Sequence, residues 1–167
     1  QWYGDPGDGT GRATLRKGMD GIKNYAERRR RAELEALPDG RWAFEDVLDG
    51  DAQGETSIRV AVAVEIDGDE LTVDFAGTAD QVDGAVNAPL AVAKSAVYYV
   101  LRCVTDPDIP PNHGCYEPVT VRAPEGSLLN PHPPAAVVGG NVETSQRVTD
   151  IVFAALGEAT AVPAQGQ

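Results

Sequence analysis

Hydrophobic residues near the start of the chain recur at intervals of three and four, which is the spacing of one helix face. The positions concerned are Leu15, Met19, Ile22, Tyr25 and Ala26. They predict an amphipathic N-terminal helix over residues 14–37 that ends at Pro38. Residues 1–13 contain five glycines or prolines, and we expect them to form a flexible lead-in.

Large apolar residues at every second position from 58 to 66 follow further along the chain and predict a β-hairpin over residues 57–76. Asp67 and Gly68 are typical of a two-residue hairpin turn. A turn at these two residues would place Val64 opposite Leu71, so that apolar residues face each other on one side of the hairpin.

Two further helices are predicted over residues 90–104 and 142–158. The first is the most apolar in the chain, and we expect it to be buried around most of its circumference. Residues 137–138 predict a short strand before the second helix, residues 139–140 a tight glycine turn, and Asn141 the helix N-cap.

Short strands are predicted at residues 42–44 and 119–121. The order of elements is typical of an α+β fold in which a mainly antiparallel sheet, with the hairpin, packs against two long helices. The length favours a single domain over residues 14–167.

Charge narrows the possible functions. The formal net charge is −12, which repels nucleic acid phosphates and anionic membrane surfaces, so neither is an expected partner. No segment approaches the roughly 20 consecutive apolar residues of a membrane span, and the first residues lack the apolar core of a signal peptide. We therefore expect a cytoplasmic protein.

Four residues could act as soft metal ligands, namely Cys103, His113, Cys115 and His132. Their spacing matches no recognised zinc arrangement. Cys103 lies in the predicted buried helix, where a cysteine acts as a small hydrophobic residue. Cys115 and His113 could form a thiolate and its base, although residues two apart in a loop need not face each other.

Polar residues in the loops are candidates for chemistry, and each has a structural alternative. Ser145 lies near a helix start but lacks the G-x-S-x-G pattern of an activated serine. Glu143 and Asp74 could serve as acid or base, or could interact with their own helix start and turn. Asn87 and Asn112 could serve the turns in which they lie.

The four consecutive arginines at positions 28–31 point in four directions around the first helix, which indicates a solvated face with ion pairs to neighbouring glutamates. Arg29 falls on the apolar face. It could reach a partner surface or an internal carboxylate.

Several segments closely resemble the hydantoinase B/oxoprolinase family, which includes B-type subunits of N-methylhydantoinases and related subunits of acetone carboxylases. They include VDFAGTADQVDGAVNAPLAVAKSAVYYVLRC, DIPPNHGCYEPVTVRAPEGSLLNP and PPAAVVGGNVETSQRV, in the order expected for the family. The resemblance implies that the chain is the central part of a longer hydrolase subunit. It also implies that this fragment is inactive when isolated.

The implied reaction is the ring opening of a cyclic amide such as a hydantoin or 5-oxoproline, with ATP hydrolysed on a hydantoinase A-type partner subunit in a hetero-oligomer. A divalent metal ion and ATP are implied for the full complex, and no cofactor or metal ligand for this fragment. The implied catalytic residues are Asn141, Glu143 and Ser145, and the implied substrate-binding residues are Asp74, Thr78, Asn87, Asn112, Thr144, Gln146 and Arg147. The alternative is a non-catalytic domain that binds the A-type partner.

Overall fold

A computed structural model describes residues 9–50, 54 and 57–160. Its elements are helix α1 (Gly9–Glu35), strands β1 (Gly40–Leu48), β2 (Ile58–Asp67) and β3 (Glu70–Asp74), helix α2 (Leu90–Val104), the single-turn helix α3 (His113–Tyr116), strand β4 (Val119–Arg122) and helix α4 (Glu143–Thr160). They confirm the predicted α+β class. Most of the predicted lead-in lies outside the described residues, and α1 already begins at Gly9.

The four strands form one sheet in the order β1-β2-β3-β4. β1 and β3 pair antiparallel with β2, while β4 pairs parallel with β3. A parallel pair needs a long connection, and α2 and α3 lie in the connection between β3 and β4. The sheet is therefore mainly antiparallel, as predicted, with one parallel edge.

The hairpin exists, but its predicted register is wrong. Val64 lies opposite Val73 rather than Leu71, because the turn is formed by Gly68 and Asp69. Gly68 adopts a φ of 58°, a left-handed conformation that favours glycine, and this sets the start of the turn. The register moves by two positions, so the same side chains still face the core.

The core lies between one face of the sheet and the helices α2 and α4. It includes the fully buried side chains of Val60, Val64, Val73, Val97 and Ile151. α4 packs against β1, β2 and α2, while α1 packs mainly against α3. Among the described helices, none has both the length and the apolar character needed to cross a membrane.

α2 is less buried than its composition predicts. One face, with Ala93, Val97 and Val100, lies in the core, whereas Tyr99 and Cys103 on the other face are exposed. The prediction that Cys103 is a buried hydrophobic residue is therefore wrong. The aromatic and polar residues on the exposed face give α2 an open surface beside α4.

Residues 137–138 do not form the predicted strand. They lead into a 3-10 turn, Gly139–Asn141, and α4 begins at Glu143. Asn141 therefore belongs to the turn and is not the N-cap of α4. The backbone N–H of Gly139 donates to the carbonyl oxygen of Ala85 in a loop, so this segment packs on a loop and not beside a strand.

Candidate functional site

The 3-10 turn before α4 packs closely on the loop that precedes α2. The Gly139 N–H donates to the Ala85 carbonyl oxygen at 2.8 Å. A Cβ at Gly140 would overlap the carbonyl oxygen of Asn87 and lie 2.9 Å from the Cα of Ala88. Only glycine fits at this position, so the two segments of the chain hold each other in place.

Asn87 is fully buried beneath this turn. Its Oδ1 accepts from the Val82 N–H at 2.9 Å, and its Nδ2 donates to the carbonyl oxygens of Val82, Gly84 and Ala136 at 2.8 to 3.0 Å. The side chain thus closes its own loop and connects it to the segment before the 3-10 turn. In this structure both ends of the Asn87 amide are occupied by the protein backbone.

Two residues fix the first turns of α4. The fully buried Thr144 hydroxyl donates to the Val86 carbonyl oxygen. Arg147 Nη1 donates to Asp46 Oδ2 on β1 at 2.6 Å, in an ion pair that is partly exposed. Asn87, Thr144 and Arg147, all predicted to bind substrate, therefore position the start of α4.

The more accessible residues of the 3-10 turn and of the start of α4 are divided between two surface depressions. Asn141 and Ser145 face α2 across a depression of about 360 Å³, whose other polar residues include Ser95, Tyr99 and Thr149. The Ser145 hydroxyl donates to the Asn141 carbonyl oxygen at 2.8 Å, which leaves the hydroxyl oxygen able to accept a further hydrogen bond.

The second depression, of about 320 Å³, lies on the other side of α4. It is lined by Glu143, Gln146, Arg147, Asp150 and the end of β1 with the two residues after it. Glu143 is exposed and occupies the first turn of α4, where the helix dipole favours a negative charge. The three predicted catalytic residues therefore do not meet at one point, since Glu143 lies apart from Asn141 and Ser145.

An aromatic depression of about 620 Å³ adjoins the first one at Tyr99. The rings of Tyr98 and Tyr116 stack with centroids 3.9 Å apart. A hydrogen bond with Cys103 raises the pKa of Tyr99, and burial raises the pKa of Tyr98. Both phenols therefore stay protonated to higher pH than a free tyrosine, and Tyr99 presents a neutral hydroxyl near both depressions.

Asp74 and Thr78 line neither depression beside α4. Asp74 Oδ1 accepts from the Ala76 N–H at 2.9 Å and so stabilises the turn after β3. Thr78 is buried, and its hydroxyl oxygen both accepts from and donates to the backbone of Ala61 on β2. Asp74 therefore interacts with its own turn, which is the structural alternative that the sequence left open for it.

Asn112 connects α3 to α1. Its Oδ1 caps α3 by accepting from the Gly114 N–H at 2.9 Å, and its Nδ2 lies 3.5 Å from the Ile22 carbonyl oxygen. A Cβ at Gly114 would overlap the carbonyl group of Lys23. Residues of the NHGC segment thus form a close helix–helix contact, away from α4.

Cys115 and His113 do not form a thiolate and base in this structure. Cys115 is fully buried and lies 3.1 Å from Nη2 of Arg30, whereas His113 is exposed and pairs with Glu117. No group of three or more His, Cys, Asp or Glu residues among those the structure describes is arranged to hold a metal ion. The described residues therefore include no set that fits the metal centre that the resemblance implies for the full complex.

Sequence reasoning missed two features. Arg30, not Arg29, is the arginine fully buried in the body, and its spacing from the buried residues Ala26 and Leu34 at i−4 and i+4 could have shown this. Arg29 instead pairs with the partly exposed carboxylate of Asp106 within the chain. The exposed face of α2 was missed because its many apolar residues predicted burial around most of its circumference.

The family model that matches this chain is that of hydantoinase B/oxoprolinase, over residues 7–167. The chain belongs to the hydantoinase B/oxoprolinase family. The resemblance inferred from the sequence motifs is therefore confirmed.

Similar curated proteins span this family. The chain is 52% identical over 98 residues to 5-oxoprolinase 1 of Arabidopsis thaliana, an alignment that covers 59% of this chain and 8% of that protein. It is 34% identical over 156 residues to a putative D-/L-hydantoinase B-type subunit of a Pseudomonas species, which covers 87% of this chain and 26% of that protein. The chain thus matches a small part of each relative.

Two solved structures share the fold. The ATP-dependent caprolactamase of Pseudomonas jessenii superposes with a TM-score of 0.77 at 30% identity, over 88% of this chain and 25% of the caprolactamase chain. The nucleotide-free acetone carboxylase superposes with a TM-score of 0.69 at 16% identity, over 80% of this chain and 20% of that chain, which is a likeness of fold.

Proposed function

We propose that this chain forms the central part of a longer subunit that opens the ring of a cyclic amide, such as a hydantoin or 5-oxoproline. Membership of the hydantoinase B/oxoprolinase family supports this proposal. The names of the relatives refer to 5-oxoproline, hydantoin and caprolactam, all of which contain a cyclic amide. ATP hydrolysis would take place on a hydantoinase A-type partner subunit.

The observation that carries the proposal is the pair of polar residues, Asn141 and Ser145, that faces Ser95 and Tyr99 across the depression between α2 and α4. A ring amide presents one N–H donor and one carbonyl acceptor. The Asn141 amide can donate to the carbonyl oxygen, and the Ser145 and Ser95 hydroxyl oxygens can accept from the ring N–H, because each already donates to the backbone.

The chain's role in this proposal is to bind and orient the amide. Glu143, Gln146 and Arg147 line the other side of α4 and would contact a neighbouring part of the subunit or a polar substituent of the substrate. A divalent metal ion and ATP would be bound by other parts of the complex. We therefore expect the isolated chain to be inactive.

The test is the change Asn141→Ala in the complete polypeptide, assayed with its A-type partner and ATP on hydantoin and 5-oxoproline. We expect kcat/KM to fall by about a hundredfold or more, as when one donor to a reacting carbonyl is removed. The thermal unfolding temperature should stay unchanged because Asn141 is exposed. Asn24→Ala, which removes an exposed asparagine from α1, is the matched control.

An unchanged kcat/KM for Asn141→Ala would show that the depression between α2 and α4 is not the amide site. Loss of folding in the same variant would assign Asn141 a structural role instead. Absence of ring opening in the unmodified protein on every cyclic amide tried would contradict the proposed reaction itself.

A second candidate function is assembly without catalysis, through contact with the A-type partner. It is favoured by a row of exposed apolar residues on α1. Retention of the A-type partner on an affinity column carrying this chain, together with unchanged turnover in Asn141→Ala, would support assembly over catalysis.

A further inference from the structure

The aromatic depression and the depression between α2 and α4 share two wall residues, Ser95 and Tyr99. The aromatic depression, of about 620 Å³, is otherwise lined by Tyr98, Arg102, Cys103, Pro107 and Tyr116. The depression between α2 and α4, of about 360 Å³, holds the polar groups proposed for the ring amide. Each volume falls within the roughly 300 to 1,000 Å³ of small-molecule sites. Together they form one groove, here called the α2 groove, with an amide end and an aromatic end.

The residues of α2 that line the α2 groove lie in one row. The row consists of Ser95, Tyr98, Tyr99 and Arg102. Intervals of three and four residues place side chains on one face of a helix. At 1.5 Å per residue, Tyr99 lies about 6 Å beyond Ser95 along the helix axis, and Arg102 about 10 Å beyond it. The centres of two rings joined by one methylene group are separated by about one such turn of helix, so an aryl group carried by an amide ring at Ser95 reaches Tyr99.

Packing fixes the walls of the aromatic end. Tyr98 packs against the main core, and Tyr116 packs against the buried residues between α1 and α3. Their rings stack with centroids 3.9 Å apart and planes inclined by 15°. Tyr99 is 59% exposed, and its ring meets that of Phe153 edge to face with centroids 6.4 Å apart. Side chains held in this way lose little further freedom when a ligand binds, so aromatic contacts there add affinity at low entropic cost.

We propose that the aromatic end of the α2 groove binds an aryl substituent of the substrate, which is then an aryl-substituted cyclic amide. The inference rests on the proposed function, because the amide end determines where the ring lies. The two ends differ in chemistry as such a substrate does. The aromatic end presents tyrosine rings and Pro107 to an apolar group, whereas Asn141 and Ser145 line only the amide end. An aryl group gains both apolar burial and ring contacts in the aromatic end.

Protection of Cys103 from alkylation tests this binding without turnover. Cys103 is exposed in the aromatic end, whereas Cys115 is buried, so reaction with N-ethylmaleimide, located by mass spectrometry, distinguishes the two thiols. The complete polypeptide is used without ATP. 5-Benzylhydantoin should slow the alkylation of Cys103 about tenfold when its concentration is about ten times its dissociation constant. Hydantoin, which lacks only the benzyl group, should change the rate by less than about twofold at the same concentration.

The change Cys103→Trp fills the aromatic end and tests selectivity. The quantity measured is the ratio of kcat/KM for 5-benzylhydantoin to kcat/KM for hydantoin, with the A-type partner and ATP present. We expect this ratio to fall at least about tenfold in Cys103→Trp, because the pocket for the benzyl group is lost. The matched control Cys103→Ser keeps the size of the side chain and should leave the ratio within about twofold. Thermal unfolding checks that both variants are folded.

Failure of this inference is distinguishable from failure of the proposed reaction. Turnover of hydantoin without protection of Cys103 by 5-benzylhydantoin would overturn the inference alone. Equal ratios in Cys103→Trp and Cys103→Ser would also overturn it, because the benzyl group would then bind elsewhere. A Cys103 that resists alkylation in the complete polypeptide would overturn it too, since another part of the subunit would then fill the aromatic end. Absence of turnover on every cyclic amide, with or without an aryl group, would contradict the proposed reaction and the inference with it.

Discussion

At the scale of single residues, a close backbone contact positions the start of α4. Gly140 lies against the carbonyl group of Asn87, and the Asn87 side chain joins that loop to the segment before the turn. Asn141 and Ser145 are left at the surface by the same arrangement. Buried residues therefore hold the site in place, and exposed ones are available for binding.

Gly140→Ala tests this division. Its Cβ would overlap the Asn87 carbonyl oxygen, so the turn must move away from the loop. We expect the free energy of unfolding, measured by urea titration, to fall by about 2 to 4 kcal/mol. Gly21→Ala is the control, because a Cβ there meets nothing within 4 Å, and it should raise stability by up to about 1 kcal/mol through helix propensity. Equal stability of the two variants would contradict the close contact.

At the scale of elements, the two ends of α1 behave differently. The second half packs through Ala26, Arg30 and Leu34, all of which are fully buried. The Arg30 guanidinium donates to the Thr105 hydroxyl and lies within hydrogen-bonding distance of Cys115, and its Nε has no partner among the described residues. No carboxylate in the described part of the chain forms an ion pair with it. α1 is therefore attached to the body through an arginine whose charge is only partly compensated.

Replacing Arg30 separates the contribution of its volume from that of its charge. Arg30→Met keeps most of the buried volume and removes the cost of burying a guanidinium, so we expect the free energy of unfolding to stay within about 1 kcal/mol or to rise. Arg30→Ala leaves a cavity and should lower it by about 3 kcal/mol. Urea titration of both variants provides the measurement. A loss in Arg30→Met as large as in Arg30→Ala would show that the guanidinium hydrogen bonds stabilise the fold.

The sequence predicts best the elements whose hydrophobic pattern agrees with the way they pack in the structure. The range of α2 matches its prediction because one side of that helix is apolar throughout and Pro89 precedes it. The hairpin was predictable, but its register was not, since Asp67-Gly68 and Gly68-Asp69 both satisfy turn chemistry. In the structure β2 continues through Asp67, and the turn consists of Gly68 and Asp69.

The candidate site was less predictable for a physical reason. Residues such as Asn87 and Thr144 are polar and lie in motifs, so from sequence they resemble ligand-binding groups, yet both are buried against backbone carbonyls. Whether Ser95 and Tyr99 line the candidate site depends on the distance between α2 and α4, which is a tertiary property. Sequence motifs therefore locate the region, and packing determines which of its residues reach the surface.

At the scale of the whole molecule, the buried hydrophobic residues that the structure describes form two separate clusters. The larger one joins the sheet, α2, α4 and Leu34. The smaller one consists of Ala26, Ile109 and Cys115, with Tyr116 packed against it, and lies between α1 and α3. Small clusters of this kind open at lower free energy than a main core. We therefore expect α3 and the middle of α1 to open as a unit before the rest of the domain unfolds.

Gly114→Ala is the sharpest test of this second unit. A Cβ at Gly114 would overlap the Lys23 carbonyl group, so α3 can no longer pack closely on α1. Amide hydrogen exchange should accelerate about tenfold or more in α3 and in residues 22–30, which corresponds to about 1.4 kcal/mol of local opening free energy. Exchange in β2 and α4 should not change, because their protection depends on the main cluster.

Gly21→Ala is the control for Gly114→Ala. It lies on the same helix as Lys23 but away from α3, so it should leave exchange in α3 unaltered. Equal acceleration of β2, α4 and α3 in Gly114→Ala would mean that the domain opens as one cooperative unit.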